Sequence, residues 1–453
     1  MSGMPLAQTI FFLAAVIILI LATQRRRLHP FLAIMAVALA LGYVAGFKTI
    51  LLGRFFGSGF SEMIYSPGLV IVAAALISGL AESTAASDRL MAKIDRWRSL
   101  GSDRIAAGLG LVAGLGASPA SAFTLLTPLL RPIGGETAQG RDRATLALAL
   151  ALSGSHGLLW LTPVTIAATA ILGAEWTRVA LFGAPIALVL AGFAVMFVRW
   201  SPGVQAAAGW LAEEPHVPGE KKGGSPIVLI VACAVPLVLL MVQSLGDLPS
   251  SPFGSGPPRE FVISLGLPII LFLAGLGVMI LGQPLQSLRF LGDSAWTTRI
   301  IKSVANILLI VCATGGLQRI CQDTGMSEMF GERLLGWHVG TFGGVLVPFF
   351  IAMAMKTLQG SSLVAAITAA GMAQPLFASL GLDSESGKAL AALAVGAGAM
   401  TVSHVNDEYF WLVADRAGLP PLRGVATLSL GTLLQGLIAV ALLLLLSLLV
   451  SRI

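Results

Sequence analysis

The sequence has little charge and very little cysteine. Charged residues make up 11% of its 453 positions, whereas a soluble domain carries about 25%. Such a shortage means that most of the surface faces lipid, which excludes a soluble globular domain. Cys233, Cys312 and Cys321 lie in or beside apolar segments with no metal-ligand spacing. We therefore interpret the cysteines as small packing residues, and the sequence predicts neither a metal site nor a cofactor.

The sequence is instead rich in long apolar runs. Hydrophobic residues account for 56% of the chain, and the mean hydropathy is +0.89. Continuous runs of this kind predict an all-α polytopic membrane protein embedded in a lipid bilayer. The net charge of +6 comes from short basic clusters between the apolar runs. This pattern is typical of membrane orientation and argues against a nucleic-acid partner.

Run length predicts the membrane spans, and Lys and Arg predict which ends face the cytoplasm. Arg25, Arg26 and Arg27 follow the first apolar run, so we expect this end inside and the N-terminus outside. A basic segment at 84–104 marks the next inner boundary, and an outer loop is predicted at 48–66. Three spans are predicted in this part of the chain, at about residues 6–22, 30–47 and 67–83.

The next apolar stretch, Ile105 to Leu130, has basic residues on both flanks and a cluster of helix breakers from Gly114 to Ser121. A stretch that begins and ends on the same side and breaks in the middle is expected to form a re-entrant hairpin. Each of its two half-helices would have about 13 residues. The alternative is one long kinked span, which would invert the sidedness of everything downstream.

The span predicted at about 144–172 has small and polar residues near its middle, namely Ser153, Ser155, His156 and Gly157. Lipid cannot satisfy polar groups, so this pattern predicts that the helix is broken there and that the side chains face a protected cavity.

A hydrophilic segment at 201–225 reads as a cytoplasmic linker between two halves, 1–200 and 226–453. The first half ends with a span at about 178–199. The second half repeats the plan, with spans at about 226–245, 261–281 and 300–318, a hairpin within 339–377 that breaks at 358–362, a span at about 387–413 interrupted from Ser403 to Glu408, and a last span at about 425–450.

Each half is therefore predicted to contain three spans, a re-entrant hairpin, a broken span and a final span, which gives about ten spans and two hairpins in all. The first half starts outside and the second starts inside. The two repeats then have inverted topology, and the C-terminus also lies outside. Inverted repeats with discontinuous helices indicate a secondary transporter whose site lies where the breaks converge.

Half-helix N-termini present free N–H groups and a partial positive charge, so converging breaks favour an anionic solute. The substrate-binding candidates are the polar and glycine residues of the four breaks: Ser118, Ser121, Ser155, His156, Gly360, Ser361, Ser362, Ser403, His404 and Asn406.

The candidates for proton coupling are Asp407, His404 and Glu408. Each candidate has a plainer alternative. Serines often only bond the carbonyl one turn back, and the histidines are equally suited to a structural donor role. Glu408 is placed alternatively at the cytoplasmic rim. Lys356 would either complement an anion or extend toward the interface.

Four stretches resemble the gluconate:proton symporter (GntP-type) family of the ion transporter superfamily. They are RLHPFLAIMAVALALGYVAG at 27–46, SHGLL at 155–159, LQGSSLVAAITAAGM at 358–372 and SHVNDEYFWLV at 403–413. The resemblance implies a proton-coupled importer of gluconate and related sugar acids in the bacterial inner membrane. It also implies a homodimer, a scaffold formed by the first three spans of each half, and an elevator-like movement of the hairpins and broken spans.

The chain departs from the family pattern at three places. The family's first hairpin usually carries an acid, but Ser118 to Phe123 has none. The family's second histidine is missing from Trp160 to Thr165. Glu408 and Tyr409 replace a Ser-Gly pair and add bulk and charge. These departures favour a different or smaller organic anion, or altered proton coupling.

The sequence therefore predicts an importer of a sugar acid or smaller hydroxy acid with proton symport. Sodium coupling is the alternative within transport. A membrane-embedded enzyme with His156, His404, Asp407 and Glu408 on a metal is the alternative of another class, although no HExxH-like motif appears. A channel is disfavoured by the two-fold repeat.

Overall fold

The computed structural model describes residues 28–84, 86–94, 100–115, 118–135, 137–201, 224–248, 250–283, 294–324 and 343–450, with a few isolated positions before residue 22. All regular secondary structure in these residues is helical. The predicted span at 6–22 lies almost entirely outside the described residues, as does the linker at 201–225.

The first half contains nine described α-helices. They are α1 (Pro30–Val44), α2 (Thr49–Met63), α3 (Leu69–Ser83), α4 (Ala86–Ile94), α5 (Ser102–Ala113), α6 (Pro119–Gly134), α7 (Ala138–Leu158), α8 (Pro163–Leu172) and α9 (Trp176–Trp200). A π-helical turn, Ile64–Gly68, joins α2 to α3.

The described part of the second half continues the series. Its helices are α10 (Pro226–Gly246), α11 (Pro257–Ser264), α12 (Pro268–Leu281), α13 (Ser294–Asp323), α14 (Leu346–Gln359), α15 (Ser362–Ala373), α16 (Phe377–Leu380), α17 (Glu385–Ala399), α18 (Glu408–Arg416), α19 (Pro421–Gly424) and α20 (Leu430–Val450).

Among the described residues, six helical stretches are long and apolar enough to cross a membrane, or seven if the bent pair α11–α12 is one span. The stretch that contains α7 and α8 is 94% buried in its most apolar part, whereas the corresponding parts of α9, α10 and the α19–α20 stretch are 33–39% buried. The α7–α8 stretch is therefore central, and the other three present apolar faces outward, as lipid requires.

The outer loop predicted at 48–66 is wrong, because these residues are helical and run on into α3. Within this segment Gly59 lies against Gly315 of α13. A Cβ on Gly59 would lie 2.2 Å from the Gly315 carbonyl oxygen. Small residues allow two membrane helices to approach this closely. Gly59 therefore serves helix packing rather than a turn.

The stretch from Ile105 to Leu130 folds back on itself, as expected of a hairpin. At the start of α5, the Ser102 hydroxyl donates to the Gly140 carbonyl over 3.4 Å. At the end of α6, a Cβ on Gly134 would lie 2.5 Å from the Cα of Arg141. Both ends therefore lie beside the first turn of α7. One kinked span would separate them by the length of a helix.

The break in the first half's broken span begins later than predicted. Ser153 to Gly157 belong to the last turns of α7, and the chain leaves the helix at 159–162. Pro163 fixes the start of α8, since the residue before a proline prefers an extended backbone. Thr162 has that conformation and caps α8 by accepting from the Thr165 N–H at 3.2 Å.

The two breaks predicted in the second half are confirmed. The helices α14 and α15 meet at Gly360 and Ser361. Gly360 has φ +80°, and a Cβ there would lie 2.3 Å from the Asn406 carbonyl oxygen. Only glycine suits this position. Residues 400–407 separate α17 from α18, so the two loops lie against each other.

Candidate functional site

Helix ends and breaks from both halves surround a cavity of about 140 Å³. Its walls come from the N-terminus of α6, the end of α7, the start of α8, the α14–α15 junction and the α17–α18 loop. The lining residues are Ser118, Pro119, Ala120, Ser153, His156, Pro163, Lys356, Ser361, Ser362, Leu363, Met400, Ser403, Asp407, Glu408 and Tyr409.

Two hairpin tips present helix N-termini to this cavity. Ser118 caps α6, and its Oγ accepts from the Ser121 N–H at 3.2 Å. Ser361 caps α15 in the same way, accepting from the Val364 N–H at 3.4 Å. Each N-terminus carries N–H groups without helical partners and a partial positive charge of about half an elementary charge. The tips therefore provide two anion-binding ends from opposite halves of the chain.

A buried ion pair joins the second hairpin to the α17–α18 loop. Lys356 Nζ lies 2.7 Å from Asp407 Oδ2, and the two side chains are 4% and 2% exposed. Lys356 Nζ also donates to the Gly360 carbonyl. Asp407 accepts further bonds from the Ser403 hydroxyl at 2.6 Å and the Tyr409 N–H at 3.0 Å. The charges of Lys356 and Asp407 cancel, so this pair adds no net charge to the cavity wall.

Glu408 adds a second carboxyl group to the wall, and it is half-buried. Gln318 of α13 donates from Nε2 to Glu408 Oε2 at 2.6 Å and to the Asn406 carbonyl at 3.2 Å. Within the described residues, the salt bridge of Lys356 goes to Asp407 and none is made by Glu408. When ionised, Glu408 therefore gives the cavity one negative charge that no salt bridge neutralises.

His404 and Asn406 stand behind the cavity wall rather than in it. His404 Nε2 and the Thr357 carbonyl oxygen lie 3.0 Å apart, and Asn406 Nδ2 donates to the same oxygen at 2.8 Å. In the described part of the chain, His404 Nδ1 and Asn406 Oδ1 have no hydrogen-bond partner. These contacts fasten the α17–α18 loop to the last turn of α14 and suit a positioning role.

The other predicted residues divide between the cavity and its supports. His156 lines the cavity, and its backbone carbonyl accepts from the Thr162 hydroxyl at 2.6 Å. Ser155 faces α5, where its hydroxyl donates to the Gly110 carbonyl at 3.3 Å. Ser121 supports the cap of α6 through the Ser118 hydroxyl, 3.0 Å away. Gly360 lies outside the lining and contributes its carbonyl to Lys356.

Tyr409 forms one wall of the cavity and is fixed at two points. Its hydroxyl donates to the Ala149 carbonyl of α7 at 2.7 Å. Its ring meets Phe123 of α6 edge to face, with centroids 5.9 Å apart. The ring is 5% exposed, so it is part of the packed core as well as of the cavity surface.

Backbone geometry around Ser403 is unusual. Val402 has φ +57°, a conformation that costs a β-branched residue about 1–3 kcal/mol. The Ser403 N–H donates to the Thr432 hydroxyl at 3.0 Å, and its carbonyl accepts from the Ser429 hydroxyl. Both partners lie where the π-helical turn Val425–Ser429 runs into α20. The strained loop is thus held by α20, which leaves the Ser403 side chain free to contact Asp407.

Sequence reasoning missed Gln318, whose contact to Glu408 crosses 90 residues of sequence. A signal for it exists, because a polar amide in the apolar helix α13 is costly unless it has a protein partner. Nothing in the local sequence identifies that partner.

Comparison with known proteins gives a consistent result. The family described as GntP family permease matches residues 7–449. The gluconate permease of Pseudomonas aeruginosa is 26% identical over 88% of this chain and 89% of its own length. The high-affinity gluconate transporter of Escherichia coli K12 is 26% identical over 88% and 90%. The D-serine transporter DsdX of Escherichia coli O6:H1 is 23% identical over 90% of each chain.

Proposed function

Because this chain belongs to the GntP family of permeases, we propose that it imports a small organic anion together with a proton. The family and its curated relatives are permeases and not enzymes, and the long apolar helices of this chain support a multi-pass membrane protein. One observation carries the proposal. Two half-helix N-termini and a carboxyl group that has no salt bridge in the described structure line the same cavity.

The anion is bound by the hairpin tips in this proposal. Ser118, Ser361 and Ser362 line the cavity at the N-termini of α6 and α15, where a carboxylate would accept from hydroxyl and free N–H groups. The relatives are named for gluconate and D-serine, both of which carry a carboxylate. The substrate of this chain is accordingly a hydroxy acid, a sugar acid or a similar small carboxylate.

Glu408 is the coupling group that the contacts favour over Asp407. Asp407 already has Lys356, Ser403 and the Tyr409 N–H as donors, so an added proton would displace a strong interaction. A substrate carboxylate beside ionised Glu408 would be repelled, since two like charges in a poorly solvated site do not both persist. The anion and a proton on Glu408 therefore enter the cavity together, which is symport.

The position of Glu408 also suits a moving transport domain. We assign the first three spans of each half to a scaffold and the hairpins with the broken spans to the part that moves. The Gln318–Glu408 bond then joins scaffold helix α13 to the mobile helix α18. Neutralising Glu408 weakens this charge-assisted bond, by up to about 1.5 kcal/mol, and would favour movement of the loaded domain.

The remaining parts of the proposal concern architecture. The described helices of the two halves follow the same order, with a hairpin, a broken span and a long final helix at the end of each. This order supports two repeats at 1–200 and 226–453, which we propose to be inverted, with both termini outside. We also propose a homodimer in the bacterial inner membrane, on the family resemblance.

Uptake into proteoliposomes tests the function. Labelled gluconate, glycerate, lactate and D-serine are offered with and without an inward proton gradient. We expect at least one carboxylate to accumulate only with the gradient, and replacement of sodium at fixed pH to have no effect. Dependence on sodium instead of protons would support the sodium-coupled alternative. Saturable uptake of none of the four would refute the proposal.

A matched pair of variants tests the coupling group. Glu408→Gln keeps the shape and the Gln318 contact but cannot release a proton. We expect it to lose gradient-driven accumulation and to keep exchange of internal for external substrate. Glu385→Gln alters an exposed acid on α17, whose side chain is 54% exposed, and should behave as wild type. Proton-driven accumulation that persists in Glu408→Gln would exclude Glu408 as the coupling group.

A further inference from the structure

The size of the cavity restricts what it can hold. Its volume of about 140 Å³ is close to that of an engineered protein cavity of about 150 Å³ that holds benzene, a molecule of six carbon atoms. A three-carbon hydroxy acid has about six or seven non-hydrogen atoms, close to the six of benzene. A six-carbon sugar acid has about thirteen and exceeds the volume of the cavity by the same comparison.

We propose that the substrate is a three-carbon 2-hydroxy acid, of the size of lactate or glycerate, and that the Tyr409 ring excludes six-carbon sugar acids. This inference rests on the proposed function and names the substrate class of the same site. It assigns Tyr409 the part of a specificity-determining residue.

Tyr409 is suited to this part because its ring cannot easily move aside. The hydroxyl is bonded to the Ala149 carbonyl, and the ring packs edge to face on Phe123. Both neighbours belong to helices that line or support the cavity, so rotation of the ring would leave the buried Tyr409 hydroxyl without its acceptor. That loss costs about 1–3 kcal/mol. The wall at Tyr409 is therefore rigid on the scale of substrate binding.

Other residues also line the cavity. They include Pro163 at the N-terminus of α8 and Met400 at the end of α17. With its carboxylate at the N-termini of α6 and α15, a substrate would direct its hydroxyl group toward His156 and Glu408. A chain of three further hydroxylated carbons would meet the Tyr409 ring.

The charges around the cavity agree with a monoanion. Lys356 and Asp407 neutralise each other, and Glu408 is proposed to carry the symported proton. The bound state then contains one uncompensated negative charge, the substrate carboxylate, facing two positive helix ends. A dicarboxylate would add a second charge with no cation among the described lining residues left to meet it.

The test is uptake competition in proteoliposomes. Lactate, glycerate and gluconate are compared under the same proton gradient in wild type, Tyr409→Gly and Tyr409→Phe. We expect wild type to prefer a three-carbon acid over gluconate by at least about tenfold, a discrimination that pocket shape can supply. Tyr409→Gly adds the space of a phenol ring and should raise gluconate uptake relative to three-carbon uptake at least about tenfold.

Tyr409→Phe is the matched control, since it keeps the ring and removes only the bond to Ala149. Because Phe123 still packs against the ring, this variant should stay closer to the wild-type preference than Tyr409→Gly does. Wild-type accumulation of gluconate as efficient as that of the three-carbon acids would overturn the size inference and leave the symport proposal intact. Uptake of none of these acids would instead refute the proposed function. If Tyr409→Gly does not fold, as judged by gel filtration, Tyr409→Ala takes its place. Gluconate uptake that is not raised relative to three-carbon uptake in the variant that folds would overturn the role assigned to Tyr409.

Discussion

The buried pair of Lys356 and Asp407 makes a strong prediction about stability. The two side chains are 4% and 2% exposed and their charged atoms are 2.7 Å apart. Removing one partner of such a pair leaves an uncompensated charge in a poorly solvated site, which costs about 3–5 kcal/mol. Asp407→Asn keeps the shape of the side chain and leaves the ammonium group of Lys356 with the Gly360 carbonyl, so we expect a cost near the upper end of that range.

The reciprocal variant should cost less. Lys356→Met leaves the Asp407 carboxylate with two other donors, the Ser403 hydroxyl at 2.6 Å and the Tyr409 N–H at 3.0 Å. Hydrogen bonds to a charged group contribute about 1.5–3 kcal/mol each, so part of the lost interaction is replaced. We expect a cost of about 3 kcal/mol for this variant, at the lower end of the range for a broken buried pair.

The double variant separates a pairwise interaction from two independent losses. With both charges gone, no buried charge is left unpaired, and replacement of a whole buried pair is often close to neutral. The sum of the two single costs should therefore exceed the cost of the double variant by at least about 2 kcal/mol. The stabilities of wild type, the two single variants and the double variant are compared by their unfolding temperatures in detergent, measured at one fixed scan rate.

An exposed pair provides the control. Lys388 and Glu385 lie 3.1 Å apart with side chains 28% and 54% exposed, and such pairs contribute about 0–1 kcal/mol. Lys388→Met should thus change the unfolding temperature little. Strict additivity of Lys356→Met and Asp407→Asn would refute the reasoning, because it would mean that neither charge depends on the other. So would equal effects of Lys356→Met and Lys388→Met.

Three further predictions concern stability and use the same assay. Gly360→Ala should lower the unfolding temperature, since φ is +80° and a Cβ would lie 2.3 Å from a backbone oxygen, whereas Gly371→Ala, with nothing within 4 Å, should be neutral or stabilising by up to about 1 kcal/mol. Gly59→Ala should separate α2 from α13 and destabilise the protein. Gly53→Ala should not, because a Cβ on Gly53 would meet nothing within 4 Å. Equal effects of the two variants would contradict the packing of α2 on α13. Asp142→Asn should leave stability unchanged or raise it by up to about 2 kcal/mol. The reason is that Asp142 is 1% exposed and neither carboxyl oxygen has a hydrogen-bond partner in the described structure. A clear loss of stability would indicate a hydrogen bond to its arginine neighbours that the structure does not contain.

Local chemistry made much of the second half predictable. The breaks at 358–362 and from Ser403 to Glu408 are evident in the sequence because glycine and several polar residues interrupt apolar runs. Lipid cannot satisfy polar groups, so a run of such residues is unfavourable in a continuous helix that faces lipid. The hairpin in the first half is predictable for a related reason, since basic residues on both flanks of one apolar stretch indicate that it returns to the side it left.

Tertiary packing accounts for the predictions that failed or fell short. Gly59 lies in a segment predicted to be a loop, but in the structure it packs against Gly315, 256 positions later in the chain. Likewise, Gly157 suggests a break but lies in a helix, where a Cβ would meet the Gly396 carbonyl at 2.5 Å. A glycine that permits a turn and one that permits close approach of two helices look the same in one sequence.

Lys356 illustrates the limit for charged residues. Its sequence position at the end of an apolar helix fits a lysine that reaches the interface as well as one that faces the substrate. The structure instead pairs it with Asp407, from a loop 51 residues later in the chain. In the proposed mechanism this pairing matters because it occupies Asp407 and leaves Glu408 as the acid that would gain a proton with the substrate.

This assignment also bears on the acid that is missing from the first hairpin. The family resemblance places an acid near Ser118 to Phe123, where this chain has none, and the chain has an additional acid at Glu408. Ser118 and Glu408 line the same cavity. The Glu408 carboxyl therefore faces the cavity beside which the first hairpin of this chain has no acid. A coupling acid needs to lie close enough to the substrate to be affected by its charge, and it must not be locked in a salt bridge. An acid on either side of one small cavity can meet both conditions. An acid on α18 instead of α6 would therefore keep the proposed proton coupling physically possible, and the adjacent Tyr409 would reduce the space for the proposed anion.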